Sequence, residues 1–115
     1  MLFPLLLCLH QHYVSIRPKS HDDRCRAQIS YAVGTDYWGQ GIVTTALKIA
    51  VSKVFKEFPD LVRIEAMVEV ENKGSQKVLE KVGFLKEGLL RKYGFCKGEI
   101  RDMFIYSFLV TDSLL

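Results

Sequence analysis

Two stretches of opposite periodicity organise this chain. Across residues 43–58 the apolar positions are Val43, Ala46, Leu47, Ala50, Val51, Val54, Phe55 and Phe58, recurring every three or four residues. A helix would place all of them on one buried face. Thr44, Thr45, Lys48, Ser52, Lys53 and Lys56 fall opposite, with the lysines late, where the helix dipole favours them. Across residues 62–70 the period is two instead. Val62, Ile64, Ala66, Val68 and Val70 share one face, and Arg63, Glu65, Met67 and Glu69 share the other, which predicts a half-buried strand. Glu65 or Glu69 could hold a water, but a solvated face is the simpler reading of both.

The same reading extends along the chain. MLFPLLLCLH is apolar but far too short to cross a bilayer. It has no basic start and no small-residue cleavage site, and Pro4 interrupts it, so the expectation for residues 1–12 is an atypical, partly buried or poorly ordered segment rather than a leader. His10 and His12 would share a strand face, with no third ligand nearby for a metal. Residues 13–17 and 25–33 read as strands around a polar loop that includes Pro18 and His21. Pro59 stops the long helix. Asn72 is a natural N-cap for a second helix, with Ser75, Val78, Leu79 and Val82 facing inward and Gly83-Phe84 ending it. Residues 85–93 and 100–109 read as two strands joined through residues 94–98.

Length and composition narrow the class. At 115 residues the chain is one domain, and 49% hydrophobic with 25% charged residues is an ordinary globular composition. The net charge of +3 is dispersed, without the basic block of a nucleic-acid groove, and no membrane partner is expected. Cys8, Cys25 and Cys96 are odd in number and far apart, which argues against a disulfide framework or a zinc site and for a reducing, cytoplasmic setting.

Candidate chemistry lies where the strand ending at Val33 runs through Gly34 and Trp38-Gly39-Gln40-Gly41 into the long helix. The first helical turn leaves N–H groups unpaired and carries roughly half a positive charge. Gly39 and Gly41 have no Cβ to keep an anion from the backbone. A βα turn whose glycines only permit tight geometry fits the same residues equally well. No Lys-Ser or Lys-Thr follows, as a Walker loop would require, and Thr44 stands where a dinucleotide fingerprint has its third glycine.

These residues resemble the pyrophosphate loop of the GNAT superfamily of acyl-CoA N-acyltransferases, whose pattern is Gln/Arg-x-x-Gly-x-Gly/Ala. Gly41 matches its central glycine, while Trp38 and Val43 replace the outer positions. The opening Tyr37-Trp38-Gly39-Gln40-Gly41 resembles the branch that acetylates ribosomal-protein N-termini. ENKGSQKVLEKVGF is similar to the family's second signature, with Asn72, Ser75 and Gly83-Phe84 at its spacing. Together the matches cover residues 13–109.

The resemblance implies an α/β fold: a mixed, mainly antiparallel, splayed sheet with two helices, residues 13–115 forming a partial domain. The family's usual N-terminal strand and helices would be lacking, because only twelve residues precede Tyr13. It implies acetyl-CoA as co-substrate, held by Val33, Trp38, Gly39, Gln40, Gly41, Ile42, Val43, Thr44, Asn72 and Ser75, with a backbone N–H near Val33 polarising the thioester carbonyl. Transfer would go to a primary amine, a protein N-terminus or small molecule, by direct attack. Many members place an acidic tyrosine seven residues after the asparagine, where this chain has Leu79. Ser75, one turn earlier, and Tyr93 or Tyr106 become the candidate proton donors. A branch glutamate before the loop is replaced by Gln28. A weak base favours α-amines of pKa about 8 over lysines at about 10.4. The alternative is a catalytically weak CoA-binding module that pairs with itself, as a homodimer, or with a longer relative.

Overall fold

A computed structural model describes residues 5–9, 12–32 and 41–114. Its strands are β1 (Leu5–Leu9), β2 (His12–Pro18), β3 (Arg26–Ala32), β4 (Arg63–Glu69), β5 (Leu85–Cys96) and β6 (Glu99–Leu109), and its helices are α1 (Ile42–Glu57) and α2 (Lys73–Val82). They form one six-stranded sheet in the order β1-β2-β3-β4-β6-β5. Every neighbouring pair is antiparallel except β3 and β4, which run parallel across the βα crossover containing α1.

That parallel pair is short. Arg26, Ala27 and Gln28 pair with Arg63, Ile64 and Glu65, and the register ends there, although β3 continues to Ala32 and β4 to Glu69. The sheet therefore opens into a splay between the two strand ends.

Helical periodicity fills one face of the sheet. Val43, Leu47, Ala50, Val51 and Val54 of α1 are buried, with Ala46, Phe55 and Phe58 packed around them. α2 adds Val78, Leu79 and Val82, and the sheet supplies Ile16, Ile29, Ile64, Ala66, Val68, Tyr106 and Phe108 to the same cluster. Phe84 and Phe108 rings lie 5.4 Å apart beneath the α2 terminus. At Gly83 the backbone takes φ +116°, and the N–H groups of Gly83 and Phe84 both return to the Leu79 carbonyl. This left-handed ending requires a residue without Cβ strain.

Three details depart from the periodic reading. The leucine run is not loose: it forms β1, paired along its length with β2, so a strand does stand beside β2 where only an atypical segment was expected. No helix precedes β2 among the described residues. Glu65 lies on the polar side of β4 yet is only 7% exposed, because Arg63 Nε (3.0 Å) and Arg26 (3.7 Å) hold its carboxylate. That face is paired rather than solvated at this point. Val62, outside the strand, is exposed.

The final hairpin is also longer than the pattern predicts. Its loop is Lys97 and Gly98 alone, at φ +54° and +81°, as a two-residue primed turn demands. Gly94, read from sequence as loop, instead lies beside an irregularity in the ladder between Leu90 and Gly94. There Lys92 takes φ +46°, and its N–H donates to Asp102 Oδ1 at 2.7 Å.

Candidate active site

The splay between β3 and β4 contains a cavity of about 250 Å³. Gln28, Ile29 and Ser30 of β3 form one wall, and Ala66, Met67, Val68 and Glu69 of β4 form the other. Asn72 and Ser75 close it from the start of α2, while Cys96 and Met103 reach it from the last hairpin. On the sides where the strands have parted, backbone groups have no ladder partner across the gap. An extended ligand bearing amides could complete them.

α2 begins here for a local reason. Asn72 Oδ1 accepts the Ser75 N–H at 3.1 Å, capping the first turn. Gln76, 7% exposed on the inner side of the helix, donates from Nε2 to the carbonyls of Val70 (2.9 Å) and Glu69 (3.3 Å). The end of β4 and the start of α2 are thus tied together at the cavity rim.

Glu69 is the one charged side chain in the cavity wall among the described residues. Cys96 Sγ donates to its Oε1 at 2.7 Å, and Arg101 stands 3.9 Å from Oε2. The thiol's hydrogen bond, with the charges of Lys97 and Arg101, holds the Glu69 carboxyl below its usual range although burial opposes this. The same bond pushes the Cys96 thiol up, and burial and the carboxylate's charge add to the effect. Cys96 is therefore a protonated donor at neutral pH, not a thiolate nucleophile.

Of the residues singled out in the sequence, Gln28, Glu69, Asn72 and Ser75 meet in this cavity. Gly41, at φ +75°, precedes Ile42, Val43 and Thr44 in the first turn of α1, whose leading N–H groups have no acceptor within the helix. The Val43 side chain is in the core, so only its backbone faces outward chemistry. Val33, Trp38, Gly39 and Gln40 lie outside the described residues.

Tyr93 does not join the site. It is 52% exposed on β5, next to the ladder irregularity, beside Arg91, Lys92 and Asp102. Tyr106 is fully buried, with its hydroxyl 3.3 Å from Glu80 Oε1, and Leu79 is fully buried in the core. None of these three lines the cavity. Gln76 and Cys96 are not among the site residues the sequence suggests. A polar residue on the inner stripe of α2 was the only signal for Gln76. Cys96 carried none, because the ladder that places it depends on the two-residue turn.

The comparisons with known proteins agree with this architecture. The family model for the acetyltransferase (GNAT) domain matches residues 12–85. An uncharacterized N-acetyltransferase, p20 of Bacillus licheniformis, is 42% identical over 84 residues, 73% of this chain and 47% of that protein. Mycobacterium smegmatis RimJ, solved in complex with CoA-disulfide, superposes with a TM-score of 0.80 at 35% identity, covering 88% of this chain and 48% of RimJ. The ribosomal-protein-S5-alanine acetyltransferase from Vibrio fischeri gives 0.78 at 30% identity, covering 85% and 53%. A splayed, mainly antiparallel sheet with its helices packed on one core is the acetyltransferase architecture, and the chain belongs to the GNAT acetyltransferase family. It spans about half the length of the relatives it matches.

Proposed function

We propose that this chain binds acetyl-CoA in the splay and transfers its acetyl group to a primary amine. The observation that carries this reading is the early end of the β3–β4 ladder at Gln28 and Glu65, with a cavity between the parted strands. A coenzyme arm laid there would pair with the exposed strand edges, and the first turn of α1, from Gly41 to Thr44, would meet its diphosphate through backbone N–H groups. Asn72 and Ser75 would border the arm. RimJ with bound CoA-disulfide supports the same class of ligand.

An acetyl thioester supplies an activated acyl carbon. The neutral amine nitrogen adds to it with its lone pair, the C–S bond breaks with the electron pair leaving on sulfur, and the proton shed by nitrogen passes through solvent to the thiolate. A thiol of pKa about 8.5 departs without strong acid help. Leu79 in place of a tyrosine therefore slows the step without forbidding it. Positioning carries most of the catalysis. The acceptor we favour is a protein N-terminal amine, by analogy with the S5-alanine acetyltransferase of Vibrio fischeri.

The test is release of free thiol from acetyl-CoA in the presence of an alanine-initiated peptide, with mass spectrometry of the peptide. Acetylated peptide supports transfer. A melting temperature raised by acetyl-CoA with no acetylation of any amine would instead establish a binding module. The absence of a tyrosine from the cavity wall among the described residues favours that second reading. No response to acetyl-CoA in either measurement removes both.

A further inference from the structure

The hairpin tip and the end of β4 form an arrangement that acetyl-CoA binding does not require. Glu69 pairs in register with Met103 on the sheet face opposite the helical core, and the β5–β6 hairpin carries Cys96 over it. The rest of the polar cavity wall is neutral: Gln28, Ser30, Asn72 and Ser75. Met67 and Met103 flank the carboxylate with flexible apolar surface.

The nearby charges of Lys97 and Arg101 offset it only in part. The Arg101 guanidinium is shared with Glu99 at 3.1 Å and Glu71 at 3.6 Å, both nearer than Glu69 at 3.9 Å. Cys96 gives Glu69 a hydrogen bond but no charge. A carboxylate in a partly enclosed cavity, hydrogen-bonded by a neutral thiol, still has a negative charge to satisfy. A cation from outside, with a short apolar body to lie between the methionines, fits this environment.

We propose that Glu69 is the specificity-determining residue for the acceptor, receiving its primary ammonium group, and that Cys96 is a positioning residue that fixes the carboxylate. This rests on the reading that acetyl transfer occurs in the splay. It selects amines that are cationic in solution and carried on a small apolar residue, such as the α-ammonium of an N-terminal alanine. It rejects the same peptide once acetylated, which helps the product leave. Before attack the bound ammonium gives one proton to solvent; the neutral amine, still hydrogen-bonded to the carboxylate, takes the acetyl group directly, and the coenzyme leaves as the thiolate.

The experiment uses the full chain loaded with acetyl-CoA and an alanine-initiated hexapeptide. Glu69→Gln keeps the shape and removes the charge. It should raise KM for the peptide about tenfold, the scale of a lost charge-assisted contact, while kcat and the melting shift caused by acetyl-CoA change little. Cys96→Ala should raise KM about threefold, and Cys96→Ser, which keeps a donor, should restore it. An unchanged peptide KM in Glu69→Gln overturns the proposal. If the wild type shows no turnover, the transfer reading fails separately, and equilibrium binding to the CoA-loaded protein decides. The free-amine peptide should bind about tenfold more tightly than its N-acetylated form, with the preference lost in Glu69→Gln. Equal binding of the two peptides by the wild type overturns the proposal.

Discussion

Asn72 has two attachments that can be separated by substitution. Its side chain caps α2 through the Ser75 N–H, and it also borders the splay cavity. Asn72→Ala should lower the unfolding free energy by about 1 kcal/mol, the ordinary value of a lost cap, read from urea midpoints. Asn72→Ser should recover most of that stability, because serine caps the same turn. Any loss of acetyl-CoA affinity that persists in Asn72→Ser then belongs to the cavity rather than to the helix. Gly83 gives a second single-residue test. Alanine there must hold φ +116°, and its Cβ would sit 3.2 Å from Phe108 Cε2. We expect a loss of roughly 1–3 kcal/mol, the range for a non-glycine residue held in a sparsely populated backbone region. Both residues were legible in the sequence, because caps act over three or four neighbouring positions. The burial of Glu65 was not, since one of its two partners, Arg26, comes from another strand.

At the scale of elements, β4, β5 and β6 are joined on their polar face by Arg63, Glu87 and Ser107. Arg63 Nη1 donates to Glu87 Oε2 at 2.9 Å, Nη2 donates to Oε1, and Ser107 Oγ donates to Oε2 at 2.7 Å. The Arg63 guanidinium, followed by the Ser107 hydroxyl, pulls the Glu87 carboxyl from 4.5 down to about 2. The folded value lies below the unfolded one, so the stability gained is complete above about pH 5 and is lost as pH falls toward 2. Unscreened, such a drop is worth about 3 kcal/mol. Glu87 is 35% exposed, and solvent screening reduces that to about 1 kcal/mol. Wild type should therefore exceed Glu87→Gln by about 1 kcal/mol at pH 7, with the two converging toward pH 2 in urea titrations. A gap that is independent of pH would mean the carboxylate's charge is not what ties the strands. The helix, both sheet faces and the splay were readable from periodicity and resemblance at this scale. The ladder irregularity near Gly94 was not, because a glycine between polar residues looks the same in a loop and in a distorted strand. The same irregularity separates Tyr93 from Cys96 along β5.

The whole molecule is a helix-covered sheet whose opening is the proposed binding site, so its stability should respond to whatever fills that opening. A ligand selective for the folded state stabilises it by about 2.7 kcal/mol at one hundred times its Kd. For a chain of this size that is on the order of 10 °C in melting temperature. Acetyl-CoA should produce such a rise, and acetyl-pantetheine at the same concentration should produce much less. The two share the arm that would lie along β3 and β4, but only the coenzyme carries the diphosphate for the first turn of α1. Raising the salt concentration should narrow the difference between them, since a partly exposed anion at a helix start is screened within about 10 Å at 0.1 M. Equal shifts from the two ligands would leave the splay as a binding groove but would remove Gly41 and the α1 amides from the account. The parted strands are visible as geometry, whereas the anion site rests on a helix that starts at a left-handed glycine.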